Sequence, residues 1–265
     1  MKTIFITGAS AGLGKATAKL FAENGWHVIA TMRNPEKEKE LSTIDNITLL
    51  PLDVTNKEQI SKTVQKATEI ADIDVVLNNA GYGLIGPLEA SQDEQITRQF
   101  DTNVFGVIRV TQAFIPYFRE KRKGLFITTT SIAGFMGIPL SSIYCATKWA
   151  LEGWTEGMSF ELNQLGIGIK TVAPGGIKTD FVSRSLDTAS HAAYEEMSRK
   201  LYNGFNPDHF TPAEKIAKVI YEAATDGRNQ LRYLAGEDAV SLHTQRLKIG
   251  GEAFKLEQEK YYFGN

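Results

Sequence analysis

The sequence predicts an α/β fold, a doubly wound parallel sheet of about seven strands with helices on both faces. Short apolar runs alternate with segments of helical periodicity from residue 2 to about residue 173. Each crossover between parallel strands has to pack back on the sheet, so repeated alternation is typical of this architecture. No linker, tandem repeat or low-complexity tract interrupts the 265 residues, and we expect one domain.

Apolar runs rich in β-branched and aromatic residues predict the strands. They cover residues 2–7, 28–31, 47–52, 73–77, 125–130, 167–173 and, less regularly, 231–235. Apolar residues at helical spacing predict helices over about 13–21, 60–71, 93–118 and 143–165, and a charged stretch predicts a short solvated helix over 35–41. A further helix is expected at Thr211-Pro212-Ala213-Glu214, with Thr211 as its N-cap and Pro212 as its first residue.

Two segments do not follow the alternation of strands and helices. Residues 181–210 mix apolar side chains with Ser, Asp, Arg and Lys, and we expect a mobile helical lid that binds substrate. Residues 236–265 form a C-terminal extension to which the sequence assigns no role.

Composition and charge argue against several classes of protein. With 42% hydrophobic and 23% charged residues the chain is ordinary globular material, and a net charge of −2 predicts neither a nucleic-acid partner nor an anionic membrane. The four histidines are scattered without ligand spacing, so we expect no metal site. One cysteine, a first apolar run too short for a signal peptide and no stretch long enough to span a membrane predict a cytoplasmic location.

A glycine-bearing turn follows the first predicted strand, with Gly8, Gly12 and Gly14 ahead of a helix. Glycines allow backbone angles closed to other residues and let a pyrophosphate approach the main chain. The N–H groups and dipole at the start of the helix favour phosphate there. The turn therefore indicates a nucleotide site, although three glycines can also make a purely structural turn.

The strongest chemical signal is the pair Tyr144 and Lys148, four residues apart in a predicted helix and therefore on one face. An ammonium beside a phenol favours the phenolate, so we expect Lys148 to lower the pKa of Tyr144 toward working pH. A general acid/base for alcohol and carbonyl chemistry requires this, although a Tyr and a Lys at this spacing can also occur by chance or for structural reasons. Ser131 ends the fifth predicted strand, where open α/β sheets place ligands, and its hydroxyl is suited to hold a substrate oxygen.

Six short motifs occur along the chain in a fixed order. They are Thr7-Gly8-x3-Gly12-x-Gly14, Asn78-Asn79-Ala80-Gly81, Asn103, Ser131, Tyr144-x3-Lys148 and Pro174-Gly175. In this order and spacing the chain resembles the short-chain dehydrogenase/reductase family over residues 2–180, and more weakly to about 235. Residues 83–89 and 144–148 are most similar to its 17β-hydroxysteroid and retinol dehydrogenase branch. The resemblance implies a Rossmann fold and a nicotinamide-dependent oxidoreductase that interconverts a ketone and a secondary alcohol.

Four catalytic roles follow from the resemblance. Tyr144 would exchange the alcohol proton, Lys148 would lower its pKa and bind the nicotinamide ribose, and Ser131 would hydrogen-bond the carbonyl oxygen. Asn103 would hold a water that links Lys148 to solvent.

The resemblance also implies a cofactor site along the carboxyl ends of the strands. Its residues would be Gly8, Ser10, Gly12, Leu13, Gly14, Arg33, Asp53, Val54, Asn79, Ala80, Gly81, Tyr144, Lys148, Pro174, Gly175, Ile177 and Thr179. Asp53 has a second interpretation, as a helix N-cap only.

The end of the second predicted strand bears on the choice between NADP(H) and NAD(H). NAD binders place a carboxylate about twenty residues past the glycines to hold the ribose 2′-hydroxyl. Thr31-Met32-Arg33-Asn34 contains none, and Arg33, helped by Ser10, is suited to pair with a 2′-phosphate. We therefore expect NADP(H). Two points argue against NADP(H). Position 11 is Ala, where the family usually has a basic residue, and Arg33 has a second interpretation as a solvated surface charge.

Substrate and partners are less sharply indicated. Apolar residues of the lid, with Tyr82, Ile138 and Pro139, predict an apolar ketone or alcohol. The resemblance implies a homo-oligomer, a dimer or tetramer, built on the helices over 93–118 and 143–165.

Three other functions compete with this interpretation. An inert NADP(H)-binding sensor would typically lack the Tyr–Lys pair. An epimerase or dehydratase would need a larger sugar-nucleotide domain after Pro174. A hydrolase using Ser131 would need a His and an acid that the sequence does not place.

Overall fold

A computed structural model describes residues 1–178, 186–203 and 210–264. The strands are β1 (Thr3–Thr7), β2 (His27–Met32), β3 (Ile47–Pro51), β4 (Val75–Asn78), β5 (Gly83–Ile85), β6 (Gly124–Thr129), β7 (Ile167–Pro174), β8 (Ile177–Lys178), β9 (Leu186–Thr188), β10 (Thr211–Pro212) and β11 (Arg232–Ala235). The α-helices are α1 (Gly12–Glu23), α2 (Lys57–Ile70), α3 (Asp93–Phe100), α4 (Gly106–Lys121), α5 (Ser142–Asn163), α6 (Glu195–Asn203), α7 (Ala213–Thr225), α8 (Glu237–Ile249) and α9 (Gly251–Phe263).

Seven of these strands form one parallel sheet in the spatial order β11, β7, β6, β4, β1, β2, β3. The chain winds outward from β1 to β3 and then crosses back to β4, so the strand order reverses between β1 and β4. In open α/β sheets a ligand crevice lies at the carboxyl ends of the strands at such a switch point. The predicted doubly wound α/β fold is confirmed, and so is its seventh strand, β11.

Helices cover both faces of the sheet, which explains the continuous apolar character of the strands. Ile4 and Ile6 of β1 belong to the cluster under α1 and α7, together with Phe21. Phe5, between them, points to the face covered by α2, α4 and α5, where its ring meets Phe114 edge-on at 4.9 Å between centroids. Burying one such side chain contributes about 1.5–3 kcal/mol. Apolar packing on both faces thus fixes the sheet, and its carboxyl edge can position side chains of a site.

The helix predicted over 93–118 is interrupted. α3 ends at Phe100, Asp101–Phe105 form a π-helical segment, and α4 continues to Lys121. A π segment adds a residue to one helical turn and is frequent at functional sites. Here it contains Asn103, which is 1% exposed.

The short helix predicted over 35–41 is wrong, since two 3₁₀ turns, Pro35–Lys37 and Leu41–Thr43, stand there. The Glu38 carboxylate accepts hydrogen bonds from the backbone N–H groups of Glu40 and Leu41, at 3.0 and 3.1 Å. These bonds compete with the regular hydrogen bonds of an α-helix, as local side-chain acceptors do.

Thr211 is not the N-cap that was predicted. Thr211 and Pro212 form β10 and pair with β8, and the Thr211 N–H donates to the Gly176 carbonyl at 2.9 Å. α7 therefore begins at Ala213, with Pro212 in the N-cap position and no side-chain cap. Pairing with a strand distant in the chain outweighs the local capping signal.

The lid predicted over 181–210 is described in part, because residues 181–185 and 204–209 lie outside the described residues. Its described part is not wholly helical, since β9 pairs in parallel with β5 before α6 begins. Asp187 of β9 accepts a hydrogen bond from Gln95 at 2.8 Å and forms an ion pair with Arg98 of α3. This strand is therefore attached to α3.

The C-terminal extension forms the helices α8 and α9. Ala239 of α8 and Phe254 of α9 pack with Ile132 and Met136, which follow Ser131 in the chain. The extension thus covers the loop that leads out of β6, beside the predicted catalytic serine.

Candidate active site

The predicted site residues gather at the carboxyl edge of the sheet, around the switch point between β1 and β4. The glycine turn follows β1, Asn79 follows β4, Ser131 follows β6 and Pro174 ends β7. Tyr144 and Lys148 lie in the first two turns of α5, which packs against β7. Motifs that are far apart in the chain therefore lie next to one another along the carboxyl edge of the sheet.

Each glycine of the turn after β1 has a structural reason. Gly8 has a φ of +70°, and a Cβ there would lie 2.8 Å from the Ala80 Cα. A Cβ on Gly14 would lie 2.3 Å from the Gly8 oxygen and 2.6 Å from Nδ2 of Asn79. Gly12, with a φ of +52°, opens α1, which has no side-chain cap, so the first N–H groups of that helix remain available to an anion.

Thr7 joins this turn to the end of β4, a role that the sequence analysis missed. Its Oγ1 accepts hydrogen bonds from the backbone N–H groups of Asn79 and Ala80, both at 3.0 Å. Asn79 donates its side-chain Nδ2 to the carbonyls of Thr7 and Gly8, both at 3.2 Å. Asn79 therefore helps to fix the conformation of the glycine turn. The hydrogen-bonded partners are more than 70 residues apart in the chain, so local spacing in the sequence could not predict these hydrogen bonds.

Tyr144, Lys148 and Ser131 come together above the end of β6. Lys148 is 7% exposed, its Nζ donates to the Thr129 carbonyl at 2.9 Å, and it lies 5.6 Å from the centre of the Tyr144 ring. Ser131 is buried, accepts a hydrogen bond from the Ala133 N–H at 3.1 Å and forms a side-chain hydrogen bond with Tyr144. A carbonyl oxygen that approaches this corner would meet two hydroxyls with a cation behind them.

The pKa values of this pair correct one expectation. Burial raises the pKa of Tyr144 to about 12, and the hydrogen bond with Ser131 opposes that rise. Burial lowers the pKa of Lys148 to about 8, and the charge of Glu152 opposes that fall. Burial of the phenol therefore decides the direction in which the pKa of Tyr144 moves, and the decrease predicted from the nearby Lys148 does not occur. At neutral pH Tyr144 holds its proton and Lys148 keeps its charge.

Asn103 is occupied by protein partners. Its Oδ1 accepts from the Tyr82 N–H at 3.1 Å, and its Nδ2 donates to the Tyr82 carbonyl at 2.8 Å and to Oγ1 of Thr147 at 3.4 Å. Gln99, which the sequence analysis did not single out, donates to the same Tyr82 carbonyl at 2.8 Å and accepts from the Leu84 N–H. Both amides fix the segment after Gly81, and the water relay predicted for Asn103 stays a prediction.

Asp53 is not the N-cap of α2, because Asn56 fills that position by accepting from the Gln59 N–H at 2.9 Å. Asp53 instead accepts from the backbone and the hydroxyl of Thr55, at 2.9 and 2.7 Å, in the turn after β3. Val54 is 7% exposed, and a Cβ on Gly106 would lie 2.8 Å from its side chain. The Val54 side chain is thus part of the core, which leaves its backbone for any contact with adenine.

The turn after β7 is held by the C-terminal extension. The Gly176 N–H donates to Oδ2 of Asp238, in the first turn of α8, at 2.7 Å. A Cβ on Gly175 would lie only 2.1 Å from the same carboxylate. Ile177 begins β8 and is half-buried, while Thr179 lies outside the described residues. Asp238 belongs to the C-terminal extension, for which no role could be predicted from the sequence.

Arg33 follows β2 and is exposed, and within residues 1–178, 186–203 and 210–264 it has no ion-pair partner. Ser10, in the glycine turn, is also exposed. The nearby carboxylate of Glu38 is held by Lys15 at 2.9 Å and by backbone N–H groups. In the described part of the chain, the end of β2 therefore presents a cation without an ion-pair partner, while the Glu38 carboxylate is already bound.

The described ranges contain neither a candidate metal site nor a candidate membrane-spanning helix. No cluster of three or more His, Cys, Asp or Glu side chains in these ranges could hold a metal ion. No helix within them combines the length and apolar character that a bilayer crossing requires.

Comparison with known proteins agrees with this geometry. The family model described as short chain dehydrogenase matches residues 2–190. An uncharacterized oxidoreductase of Schizosaccharomyces pombe is 39% identical over 86% of this chain and 98% of its own length. Retinol dehydrogenase 8 of Bos taurus is 31% identical over 87% of this chain and 80% of its own length.

Solved structures show the same fold. A short-chain dehydrogenase from Streptomyces avermitilis superposes with a TM-score of 0.86 at 30% identity, covering 98% of this chain and 96% of that one. ElxO with NADP bound gives 0.76 at 28% identity, over 91% of this chain and 99% of that one. A 3-ketoacyl-(acyl-carrier-protein) reductase from Brucella melitensis, complexed with NADH, also gives 0.76, at 21% identity over 90% and 98%. The chain therefore belongs to the short-chain dehydrogenase/reductase family of oxidoreductases, as the resemblance of its motifs predicted.

Proposed function

We propose that this protein interconverts an apolar ketone and a secondary alcohol with NADP(H), using Tyr144 as the general acid/base. The observation that carries the proposal is the corner formed by Tyr144, Ser131 and Lys148. Two hydroxyls share a hydrogen bond there, and a buried ammonium lies 5.6 Å from the phenol ring. This arrangement suits proton exchange with a carbonyl oxygen.

The residues at the carboxyl edge fit a dinucleotide. Gly8 and Gly14 keep the turn free of side chains, and α1 offers uncapped N–H groups to phosphate. Lys148 would meet the nicotinamide ribose, and the turn after Pro174 would meet the nicotinamide itself. When bound, the nicotinamide supplies a hydride to the carbonyl carbon or accepts one from the alcohol carbon.

The chain's own residues manage the proton. In reduction, Tyr144 donates its proton to the carbonyl oxygen, and the π electrons of the C=O bond form the new O–H bond. Ser131 hydrogen-bonds to the same oxygen and fixes it beside the phenol. Lys148 stabilises the phenolate that remains, because opposite charges attract strongly at a buried site. Oxidation runs through the same positions in reverse, with the phenolate taking the alcohol proton.

The preference for NADP(H) is supported by Arg33 and Ser10. An exposed guanidinium that has no ion-pair partner among the described residues can hold a 2′-phosphate with two hydrogen bonds. Glu38, five residues after Arg33, is bound by Lys15. Solved relatives with NADP and with NADH both occur, so an enzyme that prefers NAD(H) is the alternative.

An apolar substrate is supported by the loop after Ser131. Phe135 and Ile138 are half-buried and pack with the cluster that joins this loop to α8 and α9. The similarity to retinol dehydrogenase 8 points to the same class of substrate. A cytoplasmic location remains a prediction.

Two measurements test the function. Oxidation of NADPH and of NADH would be followed against a panel of steroid-like, retinoid-like and aromatic ketones, with wild type and Tyr144→Phe. We expect turnover of apolar ketones by wild type, lowered roughly 10²- to 10⁴-fold in the variant because the general acid is lost, with NADPH affinity nearly unchanged. Full activity in a well-folded Tyr144→Phe protein would remove the mechanism. NADPH binding without turnover of any ketone would favour the inert sensor.

A further inference from the structure

A buried carboxylate stands one helical turn beyond Lys148. Tyr144, Lys148 and Glu152 are spaced four residues apart on α5 and so follow one face of the helix. Glu152 is 4% exposed and Lys148 is 7% exposed. Carboxylates are almost never buried unless they are paired, so the position of Glu152 calls for a reason.

Glu152 is firmly held on one side and unpartnered on the other. Its Oε2 accepts from Nε of Arg232 at 3.0 Å and from Oγ1 of Thr171 at 3.2 Å. Its Oε1 is buried and has no hydrogen-bond partner in the described part of the chain. A Cβ on Gly134 would lie 3.0 Å from its Cγ, so the side chain has little room to move. The carboxylate is therefore fixed in the interior with part of its charge uncompensated.

Lys148 is also incompletely satisfied, as a buried positive charge. Its ammonium donates to the Thr129 carbonyl, and that is its one hydrogen bond among the described residues. A buried ammonium with a single neutral acceptor is costly, and a nearby negative charge offsets part of the cost. Burial lowers the pKa of Lys148 to about 8, while the charge of Glu152 raises it.

Other charged groups on the elements that pack against α5 are bound elsewhere or, like Asp93 and Glu94 of α3, exposed to solvent. Lys170 of β7 pairs with Asp226 at 2.8 Å, under the opposite face of the sheet. In the π-helical segment and in α3, the pairs are Asp101 with Arg109 and Arg98 with Asp187. Arg232 of β11 is shared between Glu152 and Glu156 and is 36% exposed, so solvent weakens its effect on Lys148.

We propose that Glu152 is a positioning residue, whose carboxylate acts across one helical turn, without a direct ion pair, to keep Lys148 charged beside Tyr144. The inference rests on the proposed function, because that function gives Lys148 its role. Arg232 and Thr171 fix the position of the Glu152 carboxylate by hydrogen bonds. The negative charge of that carboxylate favours the protonated form of Lys148, one turn away on the same helix. The buried charges of Lys148 and Glu152, each costly on its own, thereby stabilise one another on one face of α5.

The test compares Glu152→Gln with the matched control Glu156→Gln. Glu156 contacts the same arginine one turn further along α5, but its side chain is 52% exposed. The proton on Lys148 would be followed by ¹³C NMR in protein labelled at the lysine Cε, with Lys148→Met to assign the signal. We expect Glu152→Gln to lower the titration midpoint of Lys148 by about one pH unit or more, because an opposite charge has been removed. Glu156→Gln should leave it in place.

The pH dependence of turnover provides a second readout. The alkaline fall in kcat/KM for ketone reduction should move to lower pH in Glu152→Gln and stay in place in Glu156→Gln, which loss of packing alone would not produce. An unmoved midpoint in folded Glu152→Gln, or an equal shift in both variants, would overturn the proposal.

The double variant Glu152→Gln/Arg232→Gln keeps the test sharp if Glu152→Gln alone does not fold, because it leaves no arginine without its partner. The Lys148 midpoint should be lower in the double variant than in Arg232→Gln alone, and equal midpoints would count against the inference. The NMR titration needs no turnover, so it separates failure of this inference from failure of the proposed function, which would appear as wild type inactive on every ketone.

Discussion

At the scale of single residues, burial decides which protons the catalytic groups hold. Tyr144, with its pKa raised to about 12, keeps its proton near neutral pH and is ready to donate it to a carbonyl oxygen. Lys148, with its pKa lowered to about 8, is charged at neutral pH but loses its proton in mildly alkaline solution. Reduction should therefore be strongest near neutrality and fall as the pH passes through about 8.

Replacing Lys148 by Met should stabilise the fold at pH 7 while removing turnover. The pKa of Lys148 is about 8 in the folded protein against an ordinary value of 10.5, so the unfolded chain holds this proton more tightly. The ammonium therefore costs stability below pH 8, and the cost fades as the pH rises to about 10.5. We expect urea unfolding to show a gain of about 1–3 kcal/mol at pH 7 that shrinks by pH 10. A gain of the same size at both pH values would contradict the assignment.

Arg33→Ala should raise the KM for NADPH roughly 10- to 150-fold and leave that for NADH almost unchanged. A charge-assisted contact with a 2′-phosphate contributes about 1.5–3 kcal/mol, and each 1.4 kcal/mol is about tenfold. Steady-state kinetics with both cofactors makes the measurement, and Lys37→Ala, which removes a nearby exposed charge, is the control. If both cofactors respond alike, Arg33 is an ordinary surface charge.

A switch toward NADH is better attempted at Arg33 than at the residue before it. Met32, the residue before it, is 3% exposed and packs in the core. An Asp there would bury an unpaired carboxylate and destabilise the fold. Arg33→Asp places the carboxylate on the exposed side of the same strand end.

At the scale of elements, the glycine turn and α1 are fitted to each other so closely that Gly14 has no substitute. Gly14→Ala puts a methyl group 2.3 Å from the Gly8 carbonyl oxygen, so either α1 or the turn has to shift. We expect a loss of about 1–3 kcal/mol in the free energy of unfolding, with weaker NADPH binding as the turn deforms. Thermal unfolding and cofactor titration check this.

Gly137→Ala is the matched control for that variant. A Cβ on Gly137 meets nothing within 4 Å, and its φ is not in the left-handed region, so little change in stability is expected. A Gly14→Ala protein as stable as this control, with unaltered NADPH affinity, would show that the turn adapts.

At the scale of the whole molecule, three large aromatic side chains are exposed on or beside α4 and α5. Trp149 and Phe160 lie eleven residues apart on one face of α5 and are 47% and 70% exposed, and Phe105, before α4, is 47% exposed. Large apolar side chains that recur along one helix face are typical of subunit interfaces. We propose a homo-oligomer built on α4 and α5.

Phe160→Asp should therefore weaken association, because it places a charge in the apolar contact. Light scattering of wild type at micromolar concentration should give a multiple of the mass of one chain, and the variant a lower mass. Leu247→Asp, on α8 and 73% exposed in wild type, is the control and should leave the mass unchanged. A wild-type monomer, or an equal effect of the two substitutions, would speak against this interface.

Much of the fold could be predicted because its signals are local. Apolar runs mark strands buried on both faces, and β1 begins and ends within one residue of the prediction. The interruption at Asp101–Phe105 could not be predicted, since the periodicity on either side continues as in one helix. The 3₁₀ turns around Glu38 and the strand at Thr211 were missed because their hydrogen bonds replace the helix that local propensity favours.

The sequence by itself determined the family, through the order of six motifs along the chain. It also determined the glycine turn and the Tyr144 and Lys148 pair, because short spacings in one strand-turn-helix unit or one helix suffice for these two. Only the tertiary structure decided what surrounds them. Asp238 reaches the turn after β7 from the C-terminal extension, and Arg232 reaches Glu152 from the edge strand. Burial also moved the pKa of Tyr144 upward, against the expectation from its neighbour. Solvation and long-range pairing depend on how distant segments fold together, and residue spacing alone carries no record of either.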